Sequence, residues 1–376
     1  MTSMNILLYV PTSVSPDRAE YFQHLYPALK GVSSRFIYFN PVLDGIVDRE
    51  VIHHLLTQKV KQNKIDLFFA MTGSNFLYPE TLDALRSKGV LTVNFSSDNL
   101  DRPMSLKGLA SHFDVSWVTE PEAVQILNDF GGNPIHIPMA ANPKVFKPLK
   151  VKEKYDCSFC GAKNSSRPFY IYKLLEGTDL KMAIGGKGWA TSGGTAYSRG
   201  VANPLYTIQY ILGNLTFPEG RRNVYADLLN IVFEPKPSDG VQSKLAKFAL
   251  PPLGFSSYVR LYSTSSVSLG FNERGNTYHL PRPVLHHRLR DFEAPMSGAC
   301  YLMRRLPEMQ EYFVEDKEML FYSSPEELIE KTVYYSRPEN EKIRRRIRQA
   351  ARRRAVRDHT WEKRLKVLFS ELQIEK

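Results

Sequence analysis

One stretch of the chain, Arg288–Leu302, combines residue types that can bind a ribose and a diphosphate. Arg290 and Glu293 are three residues apart, so on a helix they share a face and can meet one ligand. The Glu293 carboxylate can accept two hydrogen bonds from a ribose diol, as acidic residues do in dinucleotide sites. Backbone N–H groups around Ser297 and Gly298 can donate to a diphosphate. The same spacing also fits a surface ion pair beside a packing glycine, and the residues alone leave both interpretations open.

Alternating strands and helices in the first third predict a parallel sheet that could carry such a site. Short apolar runs predict strands at 5–10, 35–39, 65–70, 90–95 and 115–119, with helices at 16–29, 49–62, 79–88 and 122–130. Buried strands separated by helices are typical of a parallel sheet covered on both faces. Polar or small residues follow four of these strands. Ligands of open α/β sheets bind beyond the carboxyl ends of strands, although helix capping would explain each loop taken singly.

A proline-rich segment divides the chain into two α/β halves. Four prolines fall close together, at Pro134, Pro138, Pro143 and Pro148. A second alternation of strands and helices then begins at Tyr155. We therefore expect an N-terminal Rossmann-like domain at residues 1–150, a C-terminal one at 151–355, and a helix at 356–376 that returns to the first domain. The expected fold class is α/β, with two facing Rossmann-like domains and a ligand cleft between them.

The motif around Glu293 resembles the donor-binding signature of GT-B glycosyltransferases. Arg290-Asp291-Phe292-Glu293-Ala294 is followed after two residues by Ser297-Gly298 and then by an apolar strand. The order of motifs is most similar to the spore-maturation (CgeB-like) glycosyltransferase family. Further segments that carry the similarity are 113–119, 137–143, 307–309, 324–328 and 359–364. The resemblance implies the GT-B fold, a nucleotide-sugar donor held by the C-terminal domain, and an acceptor held largely by the N-terminal one.

The resemblance, together with the spacing of Arg290 from Glu293, indicates a set of donor-binding residues. They are Glu293, Arg290, Met296, Ser297, Gly298, Arg167, Lys163, Gly186 and Trp189. Glu293 would hold the ribose, the turn around Ser297 would hold the diphosphate, Arg167 and Lys163 would contact phosphate, and the Gly186–Trp189 loop would lie near the base. No cofactor and no metal ion is expected, because basic side chains and a helix N-terminus can stabilise the leaving diphosphate.

Two carboxylates of the first domain are candidates for a general base. If the reaction inverts the anomeric configuration, Asp98 or Glu120 would take the acceptor proton. Helix capping or loop hydrogen bonding is the simpler explanation for each of them. The broader retaining pattern has two glutamates eight positions apart, and here Leu285 stands eight positions before Glu293. The stereochemistry therefore stays open, and a retaining reaction needs neither carboxylate as a base.

Positive charge is concentrated in one segment near the end of the sequence. The formal net charge is +11, and Lys342–Lys366 alone carries twelve Lys or Arg and two acidic residues, so the remaining chain is almost neutral. Ile343 and Ile347 fit an apolar stripe, which predicts a packed helix with its arginines in water. The functional alternative is that Arg344–Arg354 contacts an anionic surface, such as nucleic acid, acidic polysaccharide or lipid headgroups.

Composition excludes several classes of protein. Three cysteines exclude a disulfide framework, and no apolar run approaches the roughly 20 residues that a membrane span needs. We expect a cytoplasmic protein whose arginine-rich segment could touch the inner membrane face. The expected function is transfer of a sugar from a nucleotide-diphosphate donor to a hydroxyl or amine of a polysaccharide, lipid, protein or nucleic acid. The alternatives are a non-catalytic GT-B-like module that binds an anionic polymer and a glycosyltransferase acting on DNA bases.

Overall fold

Two parallel sheets of six strands organise the chain. The computed structural model describes residues 4–14, 20–72, 76–97, 100, 103–190, 208, 211–216, 218–233, 235–251, 253–274 and 277–374. The chain divides into two compact units, each of which contains one sheet. The first unit comprises Met1–Ala140, Leu212–Gly220 and Trp361–Lys376, and the second comprises Ala141–Ile211 and Arg221–Thr360.

The sheet of the first unit has the strand order β2-β1-β3-β4-β5-β6, and all its pairs are parallel. Its strands are β1 (Met4–Tyr9), β2 (Ser33–Phe39), β3 (Leu67–Ala70), β4 (Leu91–Ser96), β5 (Val115–Val118) and β6 (Pro134–His136). The helices between them are α1 (Glu20–Gln23), α2 (Leu25–Val32), α3 (Arg49–Asn63), α4 (Pro79–Arg86) and α5 (Glu122–Asp129). Strands β3 and β5 are buried along their whole length, as expected for strands covered on both faces.

The sheet of the second unit has the order β12-β11-β10-β7-β8-β9, again with parallel pairs. Its elements in chain order are β7 (Tyr155–Cys160), α6 (Arg167–Gly177), β8 (Met182–Gly185), α7 (Pro218–Val232), α8 (Asp239–Phe248), β9 (Ala249–Leu250), α9 (Phe255–Thr264), β10 (Ser265–Gly270), α10 (Arg290–Met296), β11 (Tyr301–Arg304), α11 (Pro307–Tyr312), β12 (Leu320–Tyr322), α12 (Pro325–Ser336) and α13 (Glu341–Asp358). Counted within the unit, this is the doubly wound Rossmann order, whose direction reverses between β7 and β10.

The last helix, α14 (Trp361–Glu371), packs in the first unit although it follows the second unit in sequence. Arg364 donates from Nε to the carbonyl oxygen of Pro138 at 2.9 Å. The Trp361 ring lies 6.0 Å from the rings of both Trp117 and Phe95, so it completes an aromatic cluster beside the sheet. Apolar side chains of α14 thereby supply part of the core of the first unit.

The predicted α/β class and the tandem Rossmann-like organisation are confirmed. Two local predictions are wrong. The proline-rich segment 134–148, interpreted from the sequence as a linker between the two halves, is not a linker throughout, because Pro134–His136 forms the edge strand β6. Proline at the first position of an edge strand gives up no ladder hydrogen bond, which explains why it is tolerated there. The helix predicted at 16–29 is two helices, α1 and α2, within the described residues.

Candidate functional site

The point where the strand order reverses in the second unit locates the candidate site. Strands β7 and β10 are neighbours there, and the loops that follow them leave the sheet at the same edge. Loops diverging from adjacent parallel strands create a crevice, which is where ligands of doubly wound sheets bind. The β7 loop leads into α6, and the long β10 loop leads into α10.

Glycines allow the loop after β7 to pack closely against the loop after β8. The Gly161 amide donates to the Gly185 carbonyl at 2.8 Å, and the Lys163 amide donates to the Lys187 carbonyl at 2.9 Å. Gly186 has a φ of +140°, and a Cβ there would lie 2.1 Å from the Gly161 oxygen. Only glycine satisfies both conditions, so Gly186 is required for the close approach of the two loops.

Three arginines converge beside these loops. The guanidinium carbons of Arg167 and Arg290 lie 5.8 and 5.6 Å from the centre of the Phe159 ring. A Cβ at Gly161 would lie 3.0 Å from Nη1 of Arg290, so the missing side chain makes room for that guanidinium. Burial, and then the positive charges of Arg290 and Arg288, hold the pKa of Arg167 well below its usual range.

We call Arg167, Arg288 and Arg290 the arginine cluster. Two of its N–H donors have no hydrogen-bond partner among the described residues. Nη1 of Arg290 and Nε of Arg288 are buried and make no hydrogen bond to any described residue. An unsatisfied buried donor costs about 1–3 kcal/mol, and more when it is charged. Like charges held together with open donors are therefore stabilised when an anion binds among them.

Asp291, which is fully buried, stabilises the turn that carries Arg288 and Arg290. Its carboxylate accepts from the Arg288 amide and from Asn272 Nδ2, each at 2.7 Å, and from the Tyr301 hydroxyl at 2.8 Å. Burial raises the pKa of Asp291, and the hydrogen bonds from Arg288 and Tyr301 oppose that shift. Asp291 thus fixes the turn from which Arg288 and Arg290 project.

Glu293 lies one helical turn after Arg290 on α10, with 9% of its surface exposed. The pKa of the Cys160 thiol is raised to about 12, mainly by burial; the nearby charge of Arg290 opposes this rise and the Glu293 carboxylate adds to it. Burial alone would lower the pKa of Arg290, but Tyr262, Tyr301 and the Glu293 carboxylate outweigh burial and raise it. The structure therefore brings Glu293 and Arg290 together at the end of β7, as the sequence predicts.

A third buried carboxylate of the site, Glu273, was missed by the sequence analysis. It follows β10 and accepts from the Ser166 hydroxyl at 3.1 Å and from the Tyr170 hydroxyl at 2.5 Å. Arg304 Nε lies 3.3 Å from the same carboxylate. Because Ser166 and Tyr170 flank the start of α6, Glu273 fixes the position of Arg167. The only sequence signal is an acidic residue just after a buried strand, which does not distinguish it from an ordinary loop residue.

The prediction that the backbone amides of Ser297 and Gly298 are open to a diphosphate is wrong. The amides of Ser297 and Gly298 are used inside the helix end, donating to Glu293 and Pro295 carbonyls at 2.8 and 3.0 Å. Gly298 has a φ of +71°, the left-handed conformation that ends many helices. Met296 is fully buried. These three residues lie at the opposite end of α10 from Arg290, so the structure does not bring them to the arginine cluster.

The remaining predicted residues have different environments. Trp189 is buried and donates from Nε1 to the Gly161 carbonyl at 2.7 Å, so it holds the β7 loop instead of presenting its ring to a ligand. Lys163 is half-buried, with Nζ 6.0 Å from the centre of the Tyr172 ring. Glu120 is buried in the first unit and accepts from the Thr119 hydroxyl at 2.8 Å. Asp98 lies outside the described residues.

The arginine-rich segment is not a helix face with all its arginines in water. Arg344 is buried and donates to the carbonyls of Tyr335 and Arg337 at 2.8 and 2.7 Å. Arg348 pairs with Glu153, and Arg352 donates to the Phe146 and Met296 carbonyls. These side chains attach α13 to the rest of the second unit, so the prediction of a wholly solvated charged face is wrong.

No arrangement of three or more His, Cys, Asp or Glu side chains that could hold a metal ion occurs in the part of the chain that the structure describes. Among the helices in the same ranges, none has the length and apolar character needed to span a membrane.

Part of the chain is similar in sequence to a known protein family. Residues 242–370, which include α10 and the arginine-rich α13, match a family model described as glycosyl transferase-like. A search of curated proteins returned no match.

Solved structures are similar over nearly the whole chain. Sucrose-phosphate synthase from Thermosynechococcus elongatus has a TM-score of 0.57 and 12% identity, covering 98% of this chain and 99% of that one. A glycosyltransferase from Rickettsia africae has a TM-score of 0.57 and 11% identity, with 100% of each chain covered. Anabaena HepE in complex with UDP-glucose has a TM-score of 0.55 and 10% identity, covering 98% and 99%. The α/β fold is therefore that of GT-B glycosyltransferases, as predicted.

Proposed function

We propose that this chain transfers a sugar from a nucleotide-diphosphate donor to a hydroxyl or amine acceptor. The observation that carries the proposal is the arginine cluster at the switch point of a Rossmann sheet: Arg288 and Arg290 have buried, unpartnered N–H groups, and Arg290 lies one helical turn before Glu293. A nucleoside diphosphate can bind both groups at once, because its diphosphate is an anion for the guanidinium groups and its ribose diol can donate to the carboxylate. The GT-B fold and the family match at 242–370 favour this ligand class.

In the proposed reaction the arginines act on the leaving group. Negative charge grows on the diphosphate as the bond to the anomeric carbon breaks, so guanidinium groups fixed in advance stabilise the transition state most. The N-terminus of α6, an eleven-residue helix that begins at Arg167, adds its dipole on the same side. Glu293 would orient the donor through the ribose. For an inverting reaction we retain Asp98 and Glu120 as candidate bases for the acceptor proton.

We choose UDP-sugars as the first donors to test, because HepE was crystallised with UDP-glucose and with UDP. The experiment combines calorimetric binding of UDP with an assay for UDP release from a panel of UDP-sugars. Arg290→Gln should weaken UDP binding by roughly tenfold to a hundredfold, because a hydrogen bond to a charged group contributes about 1.5–3 kcal/mol. Arg260→Gln on the exposed face of α9 is the matched control and should bind UDP normally.

The outcomes separate the proposal from its main alternative. UDP release that depends on Arg290 supports the transferase. Binding of UDP without release from any donor would favour the non-catalytic GT-B-like module. If neither UDP nor other nucleoside diphosphates bind, the assignment of the arginine cluster to a donor diphosphate is overturned.

A further inference from the structure

A second cavity lies in the same unit, beside the arginine-rich helix α13. It has a volume of about 620 Å³ and is open to solvent on one side. Its charged wall is one face of α13, with Arg345, Arg348, Arg352 and Arg353. The apolar part of its lining is formed by Pro148, Leu149 and Val151.

The charges around this cavity do not cancel. Its lining holds the four arginines and two carboxylates, Glu153 and Glu341, a net charge of +2. Glu153 is already engaged, because Arg344 donates to one of its oxygens at 2.8 Å and Arg348 pairs with the other. Burial by itself would raise the pKa of Glu153, but the hydrogen bond from Ser266 and the charges of Arg348 and Arg344 outweigh it and lower the pKa. The carboxylate therefore stays ionised and neutralises the inner arginines.

The two outer arginines are left uncompensated. Arg345 and Arg353 are exposed, and neither makes a hydrogen bond or an ion pair with another residue in the ranges that the structure describes. They lie eight residues apart, about 12 Å along the axis of α13 and about 80° around it, and both line the cavity. Arg348 and Arg352, between them, are anchored to backbone carbonyls and carry their charge at the back of the cavity.

One polar atom in the cavity wall also lacks a partner. Ser297 lines the cavity, is fully buried as a residue, and its Oγ makes no hydrogen bond to any described group. A hydroxyl sequestered without a partner is costly and uncommon in native structures. Ser297 is at the end of α10 opposite Arg290, roughly 10 Å away along the helix axis, so this cavity is separate from the arginine cluster.

We propose that this cavity binds a phosphate ester, with the phosphate on Arg345 and Arg353 and the esterified group against Pro148, Leu149 and Val151. A phosphate monoester carries about −1.5 to −2 charges near pH 7, which matches the uncompensated charge of the lining, whereas one carboxylate would leave part of it unbalanced. The inference is independent of the proposed transferase activity, because it uses neither Glu293 nor any residue of the arginine cluster.

Binding of phenyl phosphate, measured by calorimetry, tests the site. Arg345→Gln with Arg353→Gln should weaken binding at least about tenfold, since two charge-assisted contacts are lost. The matched control, Lys342→Gln with Arg346→Gln, removes two exposed charges of the same helix outside the cavity and should leave the affinity unchanged. Glutamine keeps the helix propensity of both pairs, and thermal unfolding should confirm that both double variants fold like the parent.

The source of the ester is distinguished by vesicles of phosphatidylcholine with and without phosphatidic acid. Binding to phosphatidic acid vesicles that is lost in Arg345→Gln/Arg353→Gln supports the site and identifies a lipid headgroup. Binding of phenyl phosphate alone supports the site and identifies a soluble ester. The proposal is overturned if neither probe binds, if both double variants lose binding equally, or if only Arg290→Gln abolishes it.

Discussion

Single side chains at the candidate site derive their chemistry from burial as much as from residue type. Arg290 and Glu293 are one turn apart on α10, and both lie where the solvent that would normally screen them is largely excluded. In that environment a hydrogen bond between charged groups and a ligand is stronger than on an open surface. The same two residues on an exposed helix would make only a weak surface pair.

Replacing Glu293 with alanine tests its role toward the donor ribose. We expect Glu293→Ala to weaken nucleoside diphosphate binding by roughly tenfold to a hundredfold, because hydrogen bonds to a carboxylate contribute about 1.5–3 kcal/mol. Thermal unfolding should show that the variant remains folded. Glu330→Ala, the same change at an exposed position of α12, is the control. A folded Glu293→Ala variant with unchanged affinity would contradict the role.

Sequence motifs indicate the candidate donor-binding residues more readily than the residues that hold them in place. Glu293 and Arg167 stand in recognisable motifs, whereas Asp291 and Glu273 look like ordinary acidic residues beside a helix or a strand. Their importance comes from almost complete burial and from partners that are far away in the sequence. Ser166, for example, donates to Glu273 from 107 residues earlier in the chain. The prediction that the amides of Ser297 and Gly298 are open to a ligand is wrong for a related reason. The left-handed helix end satisfies both donors, and the sequence does not show this.

At the level of elements, α13 shows how far a charge pattern can mislead. Its arginines appear alike in sequence, yet Arg344 is buried on backbone carbonyls and Arg345 beside it is exposed. The pattern cannot show which carbonyls from other elements lie near the helix, so it cannot separate structural arginines from available ones. Replacing arginines of α13 indiscriminately would therefore mix loss of folding with loss of binding.

The ion pairs of Glu153 give a pH-dependent test of how α13 is attached. Because the folded pKa of Glu153 is lowered, its contribution is present above its unfolded value of about 4.3 and is lost as pH falls through the folded pKa. Glu153→Gln should lower the free energy of unfolding by about 1.5–3 kcal/mol at pH 7.

Denaturant unfolding of Glu153→Gln and of the parent at neutral pH and below pH 4 checks this expectation. The difference between the two proteins should begin to shrink as pH falls below about 4.3, and it should approach zero only as pH falls through the lowered pKa of folded Glu153. Glu341→Gln, at an exposed position that also lines the cavity, should show little difference at either pH. A difference that is independent of pH would mean that packing, not charge, is lost.

For the molecule as a whole, hydrophobic periodicity predicts the two α/β units, because the spacing of apolar residues within each strand and helix indicates which side chains it buries. Strand order is harder to predict, since the neighbours of β7 are the distant β10 and the nearby β8. The edge strand β6 is too short and too rich in proline to show a strand pattern. Long-range pairings of this kind depend on the assembled sheet and not on any local signal.

The helix α14 allows a test of whether the two units unfold independently. Trp361→Ala removes a buried ring that lies 5.9 to 6.0 Å from those of His24, Phe95 and Trp117, and large-to-small changes of this kind cost about 3–5 kcal/mol. Hydrogen exchange should therefore accelerate in peptides covering β3, β4 and β5, which share the unit of α14, and stay slow in β7 and β10. Val367→Ala, at an exposed position of the same helix, should leave both sets unchanged. Equal acceleration in the two units would show that the stability supplied by α14 is shared by the whole chain.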